Sequence, residues 1–342
     1  MTTYAKAPPD WIMDGEKFAL IGFEARLARD VSRLDLPDGL TILPNTDFNL
    51  PDHWCEWLGS LRVEDIQSCT LFLLAKGPSR ALKVLDGENQ RLSSAVGHWF
   101  MGLMLTHNFA LSDSLFITSG SCERGAVDVR EFGLVEPPAR SIVQSDGPIS
   151  VDRLARAALM GTRLKHISQM GSGRNWRLLR CLRIYQDARR EIDMLERIHQ
   201  FTRCIEGLIV PKQGDTGKQF KSRTELFVGP RDHKLMGELY DVRSEVEHLH
   251  ENKRLETYDR ATRISLAKLE AVGEWIARTC LQKIILNPTL TDHFGSVASL
   301  EQFWAKDPTE RQTIWGAPVD PRASIAGFDF SHVSDAELGA RE

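Results

Sequence analysis

A guanidinium can hold a phosphate with two parallel hydrogen bonds, and an imidazole can move a proton near neutral pH. Residues 235–250, LMGELYDVRSEVEHLH, carry both groups in one short run: Arg243, His248 and His250. Leu235, Leu239, Val242, Val246 and Leu249 recur at intervals of four and three, so the run predicts a helix with one apolar stripe. At about 100° per residue, Arg243 lies roughly 60° to 100° from that stripe, at the margin between core and water. On an unbroken helix His248 would stand about 140° from Arg243 and His250 about 20°. Either the helix unwinds near His248, or two copies of the chain complete one site; His250 stays a competitor for the histidine role.

The string Leu239-Tyr240-Asp241-Val242-Arg243-Ser244, followed by His248, resembles the corresponding segment of Apea-like HEPN domains. The resemblance extends upstream to the long apolar helix that closes on Phe201-Thr-Arg-Cys-Ile-Glu206-Gly-Leu. Downstream it extends to the amphipathic run 266–285, about 130 of the 342 residues in all. One departure concerns the residue after the histidine, where the family usually has Gly and this chain has Leu249. The first 150 residues resemble no family in this way.

The resemblance implies RNA as partner and its cleavage with no metal and no cofactor. RNA supplies its own nucleophile, the 2′-hydroxyl. An enzyme then needs a proton acceptor, a proton donor and positive charge at phosphorus. In that scheme His248 moves protons, Arg243 holds the phosphate and Glu206 orients Arg243 by an ion pair; Asp241 and Ser244 are supporting polar neighbours. The family likeness also implies a homodimer and a toxin or antiviral role. A different class fits the same residues: a non-catalytic HEPN-like module that binds RNA, a nucleotide or a protein.

Composition bounds the alternatives. The chain has 42% hydrophobic and 26% charged residues and a formal net charge of -4, so it reads as a globular protein with no overall basic excess. Its six cysteines include no pair at zinc-knuckle spacing, and Cys181 and Cys204 read as small buried thiols. The N-terminus lacks the apolar core of a signal peptide, and the most apolar run, 95–105, is too short to span a bilayer. A soluble, cytoplasmic protein without membrane contact is the expectation. Gly214-Asp-Thr-Gly217-Lys218 is two residues short of a phosphate loop. The arginines at 174, 177, 180, 183, 189, 190, 197 and 203 read first as a solvated, partly paired face and second as a track for RNA phosphates.

These groups need elements to position them. The predicted fold class is mainly α: an N-terminal α+β domain over 1–148, an all-α HEPN-like helical bundle over 149–287, and a Pro-containing tail over 288–342. Predicted strands are 70–75 and 114–118, flanking a helix over 89–107, with loops at 35–52, 77–88 and 119–147. Helices are predicted at 151–168, 175–210, 233–250 and 258–286, the second of them single or double. A short one is expected near 299–306. Trp54 and Trp57 read as a core anchor. Phe303, Trp304 and Trp315 give the tail the means to wrap the folded body, or the tail is loose.

Overall fold

The computed structural model describes residues 9–80, 86–109, 115–136, 138, 143, 146–170, 173–212, 214–248 and 259–332. It is mainly helical with an α+β part. The chain divides into two compact units, one of residues 1–138 and 146–165, the other of 139–145 and 166–342.

The first unit is built on a six-stranded antiparallel sheet with spatial order β2-β3-β4-β1-β5-β6. Its strands are β1 (Glu16–Phe23), β2 (Leu34–Leu36), β3 (Leu40–Pro44), β4 (Leu71–Pro78), β5 (Phe116–Glu123) and β6 (Ala126–Leu134). Successive strand residues point to opposite faces, and here both faces are covered. Ala19, Ile21, Phe23, Leu71 and Leu73 join one apolar cluster, while Phe18, Leu20, Phe72, Leu74 and Phe116 join another. That is why β1 and β4 read as unbroken apolar runs. Helices α1 (Asp52–Leu58) and α2 (Ser60–Ser68) contribute Trp54 and Ile66 to the second cluster.

The first cluster is closed by α3 (Gly87–Thr106) and by the start of α4 (Val151–Gln169). Asp86 caps α3 by accepting from the Glu88 and Asn89 amides, and the same carboxylate pairs with Lys17, a buried lysine on β1. The Trp99 indole donates to the Leu154 carbonyl, 3.1 Å away. At Gly102 the α3 and α4 backbones come so close that a Cβ would lie 2.1 Å from the Ala157 carbonyl oxygen.

In the second unit, α5 (Trp176–Arg190) and α6 (Met194–Ile209) are separate helices, divided at Glu191–Asp193, where Asp193 caps α6. Then come α7 (Thr216–Val228), α8 (His233–Glu247) and the 27-residue α9 (Arg260–Leu286). Helix α6 packs against α5, α8 and α9 through Ile198, Phe201, Cys204, Ile205 and Leu208. Charges inside this unit are paired within and across helices, as burial requires. Arg197 Nε lies 2.6 Å from Glu270, and Arg278 Nε lies 2.8 Å from Glu274, which also accepts from the Tyr185 hydroxyl.

Several sequence expectations differ from this structure. Strand β1 was not predicted, and β3 and β6 occupy stretches read as loops; β6 alternates charged and apolar residues as an edge strand does. Helix α7 fills a stretch for which no element was predicted. The division of the chain falls inside α4 rather than at 148/149, because Ile149, Leu154 and Ala157 belong to the core of the sheet unit. Trp54 is an anchor, donating to the Val127 carbonyl, but Trp57 is 72% exposed. The tail folds into α10 (Pro288–Phe294), α11 (Val297–Ala305) and α12 (Pro308–Trp315). The Trp315 and Phe227 ring centres lie 4.6 Å apart at a tilt of 43°, and the Trp304 indole donates to the Leu208 carbonyl.

A Gly102→Ala substitution is expected to force α3 and α4 apart and cost about 1–3 kcal/mol, the usual range for overpacking. Urea unfolding checks it. An unchanged midpoint would mean that the two backbones are not in the close contact described.

Candidate functional site

The segment around Arg243 forms α8 as its stripe predicts, with Met236, Leu239 and Val242 buried. The helix ends at Glu247. His248 leaves helical geometry (φ -96, ψ 8), and its amide still donates to the Ser244 carbonyl. The unwinding near His248 is therefore present. His250 lies outside the described residues.

Arg243 sits at the border of the core, its side chain 14% exposed. Its Nε donates to Glu206 Oε2 at 3.1 Å, and its guanidinium lies 5.9 Å from the Tyr240 ring centre. Glu206 projects from α6, so the pair bridges α6 and α8. A second bridge joins the same helices, with His199 Nε2 2.8 Å from Glu247 and its Nδ1 3.3 Å from Glu196. Moving along α6 from 206 to 199 corresponds to moving along α8 from 243 to 247, so the helices run antiparallel. The hydrogen bond from His199, with the charges of Arg243 and Arg203, holds the Glu247 carboxyl below the usual glutamate range. The Glu247 tie therefore persists well below neutral pH and is lost as pH falls through that lowered value.

A cavity of about 430 Å³ opens beside this bridge, lined by Arg177, Arg180, Arg203 and Arg243 with the single carboxylate of Glu206. Four guanidiniums against one carboxylate leave a positive excess in the lining. Arg177 is fixed as Arg243 is: its Nε donates to the Gly207 carbonyl at 2.8 Å. In both residues the terminal nitrogens carry no hydrogen bond to the described residues. Arg180 and Arg203 have no ion-pair partner among the described residues. Cys181 also lines the cavity, but burial pushes its thiol up to about 12, against the partial opposing pull of Arg177 and Arg180. It is no thiolate nucleophile near neutral pH.

Local packing explains two glycines here. A Cβ on Gly207 would come within 2.4 Å of Cys181 Sγ, so glycine lets α6 close on α5. Gly217, part of the run that resembled a short phosphate loop, instead starts α7, where a Cβ would meet the Tyr240 ring at 2.8 Å.

The structure thus brings Arg243 and Glu206 together. His248 is exposed and is not among the residues lining the Arg243 cavity. Asp241 is exposed and Ser244 half-buried, Ser244 receiving the His248 amide through its carbonyl. The arginine run is not one solvated face. Arg189 and Arg197 are buried and paired with Glu274 and Glu270, while Arg177, Arg180 and Arg203 turn to the cavity. Sequence reasoning missed His199. Its spacing was the available signal, since 199, 203 and 206 fall on one face of a helix. Among the described residues no group of three or more His, Cys, Asp or Glu is placed to hold a metal.

In a double-mutant cycle of Glu206→Ala and Arg243→Ala, unfolding free energies are expected to show a coupling of about 0.5–3 kcal/mol. Strictly additive losses would mean that the two side chains do not interact in solution. Searches against protein-family models, curated proteins and solved structures found no match for the chain.

Proposed function

We propose that the helical unit is a HEPN-like module that acts on RNA as a metal-independent endoribonuclease, with Arg243 holding the scissile phosphate. The observation that supports this most is the fixed geometry of Arg243. Its Nε is committed to Glu206, and its two terminal nitrogens remain available at a cavity with excess positive charge. Two parallel N–H donors match two phosphate oxygens.

In the proposed reaction the 2′-hydroxyl gives up its proton, and its oxygen forms a bond to phosphorus. The bond from phosphorus to the 5′-oxygen breaks, and that oxygen takes up a proton. The products are a 2′,3′-cyclic phosphate and a 5′-hydroxyl end, and no outside oxidant or reductant is involved. Arg243 stabilises the charge that gathers on the phosphate oxygens, and His248 carries a proton. His248 stands at the end of α8, outside the cavity lining, so the reading includes a homodimer in which a second copy supplies the histidine. His250 is the alternative proton carrier. A toxin or antiviral role would follow from such an activity.

The position of His248 also favours a second reading, in which the arginine cavity binds RNA without cutting it. One assay separates the two. Purified protein is incubated with end-labelled single-stranded RNA in EDTA, and both binding and fragments are followed. Cleavage is expected, with cyclic phosphate ends. Arg243→Ala and His248→Ala are each expected to lower the rate by roughly 100-fold or more. Binding without fragments would favour the second reading, and cleavage that persists in both variants would remove the site assignment.

A further inference from the structure

Trp176 stands at the rim of the arginine cavity. It is the first residue of α5 and is 58% exposed, whereas Trp11, Trp54, Trp99 and Trp315 are buried. The fold does not need this ring for its core. Asn175 just before it is buried, and its side-chain amide donates to the Ile167 carbonyl at 3.2 Å, so the start of the helix is tied down. Trp176, Arg177, Arg180, Cys181 and Ile184 recur at the spacing of one helical face, and all five line the cavity. An aromatic plane and a set of guanidiniums therefore share one wall.

Those two chemistries match the two halves of a nucleotide. Aromatic side chains stack on unpaired bases without regard to sequence, and arginines take the adjoining phosphates. A base inside a double helix has no free face to offer, so the combination selects single strands. The cavity volume of about 430 Å³ falls within the roughly 300–1,000 Å³ of pockets that enclose small ligands. We infer that the cavity receives one nucleotide of single-stranded RNA, its base stacked on Trp176 and its phosphate on Arg177, Arg180, Arg203 and Arg243. This rests on RNA being the partner and adds which part of the RNA enters and what selects it.

The test uses the full chain and short 2′-fluoro RNA, which lacks the 2′ nucleophile and so reports binding alone. Three probes are compared: a single strand, its duplex, and a single strand in which abasic sites replace the nucleosides. Wild-type protein is expected to prefer the single strand to both others. Trp176→Ala is expected to weaken single-strand binding by roughly 5- to 100-fold and to leave abasic-strand binding unchanged, while Trp176→Phe restores most of the loss. Equal single-strand affinity in wild type and Trp176→Ala would overturn the stacking role; if binding still fell in Arg243→Ala, the RNA reading itself would stand. Wild-type preference for the duplex would also overturn the inference. Absence of binding to every probe would overturn both.

Discussion

The ion pair between Arg243 and Glu206 is the constraint on which the site depends. A guanidinium this far out of water needs an acceptor, and Glu206, itself 17% exposed, is the one that α6 supplies. Desolvation of two charges this far out of water offsets much of their attraction, so the value of this pair lies in direction more than in stability. It consumes Nε and leaves the far edge of the group available. The His199–Glu247 bridge fixes the same two helices a turn further along. Together they set the register of α6 against α8 and hence the wall of the cavity.

The excess positive charge beside that pair is the second physical fact. Elsewhere in the helical unit three buried arginines sit beside carboxylates: Arg197 beside Glu270, and Arg189 and Arg278 both beside Glu274. At the cavity Arg243 keeps such a partner in Glu206, while Arg177, Arg180 and Arg203 have no ion-pair partner among the described residues. Arg177, Arg180, Arg203 and Arg243 line one cavity with Glu206, and the Glu247 carboxylate acts on Arg203 and Arg243 from nearby, so positive charge remains in excess until an anion enters. The contrast within one unit argues for a binding role more strongly than the number of arginines does. Nuclease activity is a further step, which our proposal assigns to His248 and which depends on where that exposed histidine stands in the working assembly.

Legibility from sequence followed periodicity. Helices α3 and α8 announced themselves through apolar stripes, α4 was predicted at 151–168, and the 175–210 run was visible as helix although its break at 191–193 was left open. The Arg243–Glu206 pairing was expected from the family likeness and is present in the geometry. Strand β1 was missed because a sheet buried on both faces erases the alternation that marks a strand, and β6 because the Gly and Pro residues of 119–147 read as loop. Helix α7 was obscured by Gly214 and Gly217: the first takes a positive φ just before the helix, and the second lets the Tyr240 ring pack close. The cavity could not be read at all: Arg177 and Arg203 are 26 residues apart, and only the packing of α5 on α6 decides which arginines share a common wall.

The most direct test of the account is the nuclear magnetic resonance signal of the Arg243 side-chain Nε–H, followed while single-stranded RNA is added to the intact protein. In the free protein the signal should be observable and slowly exchanging, as for a hydrogen bond to Glu206. On addition of RNA it should shift and saturate, and Glu206→Gln should weaken that response. A signal that exchanges freely before RNA is added, or does not move while RNA binds elsewhere, would contradict the central claim.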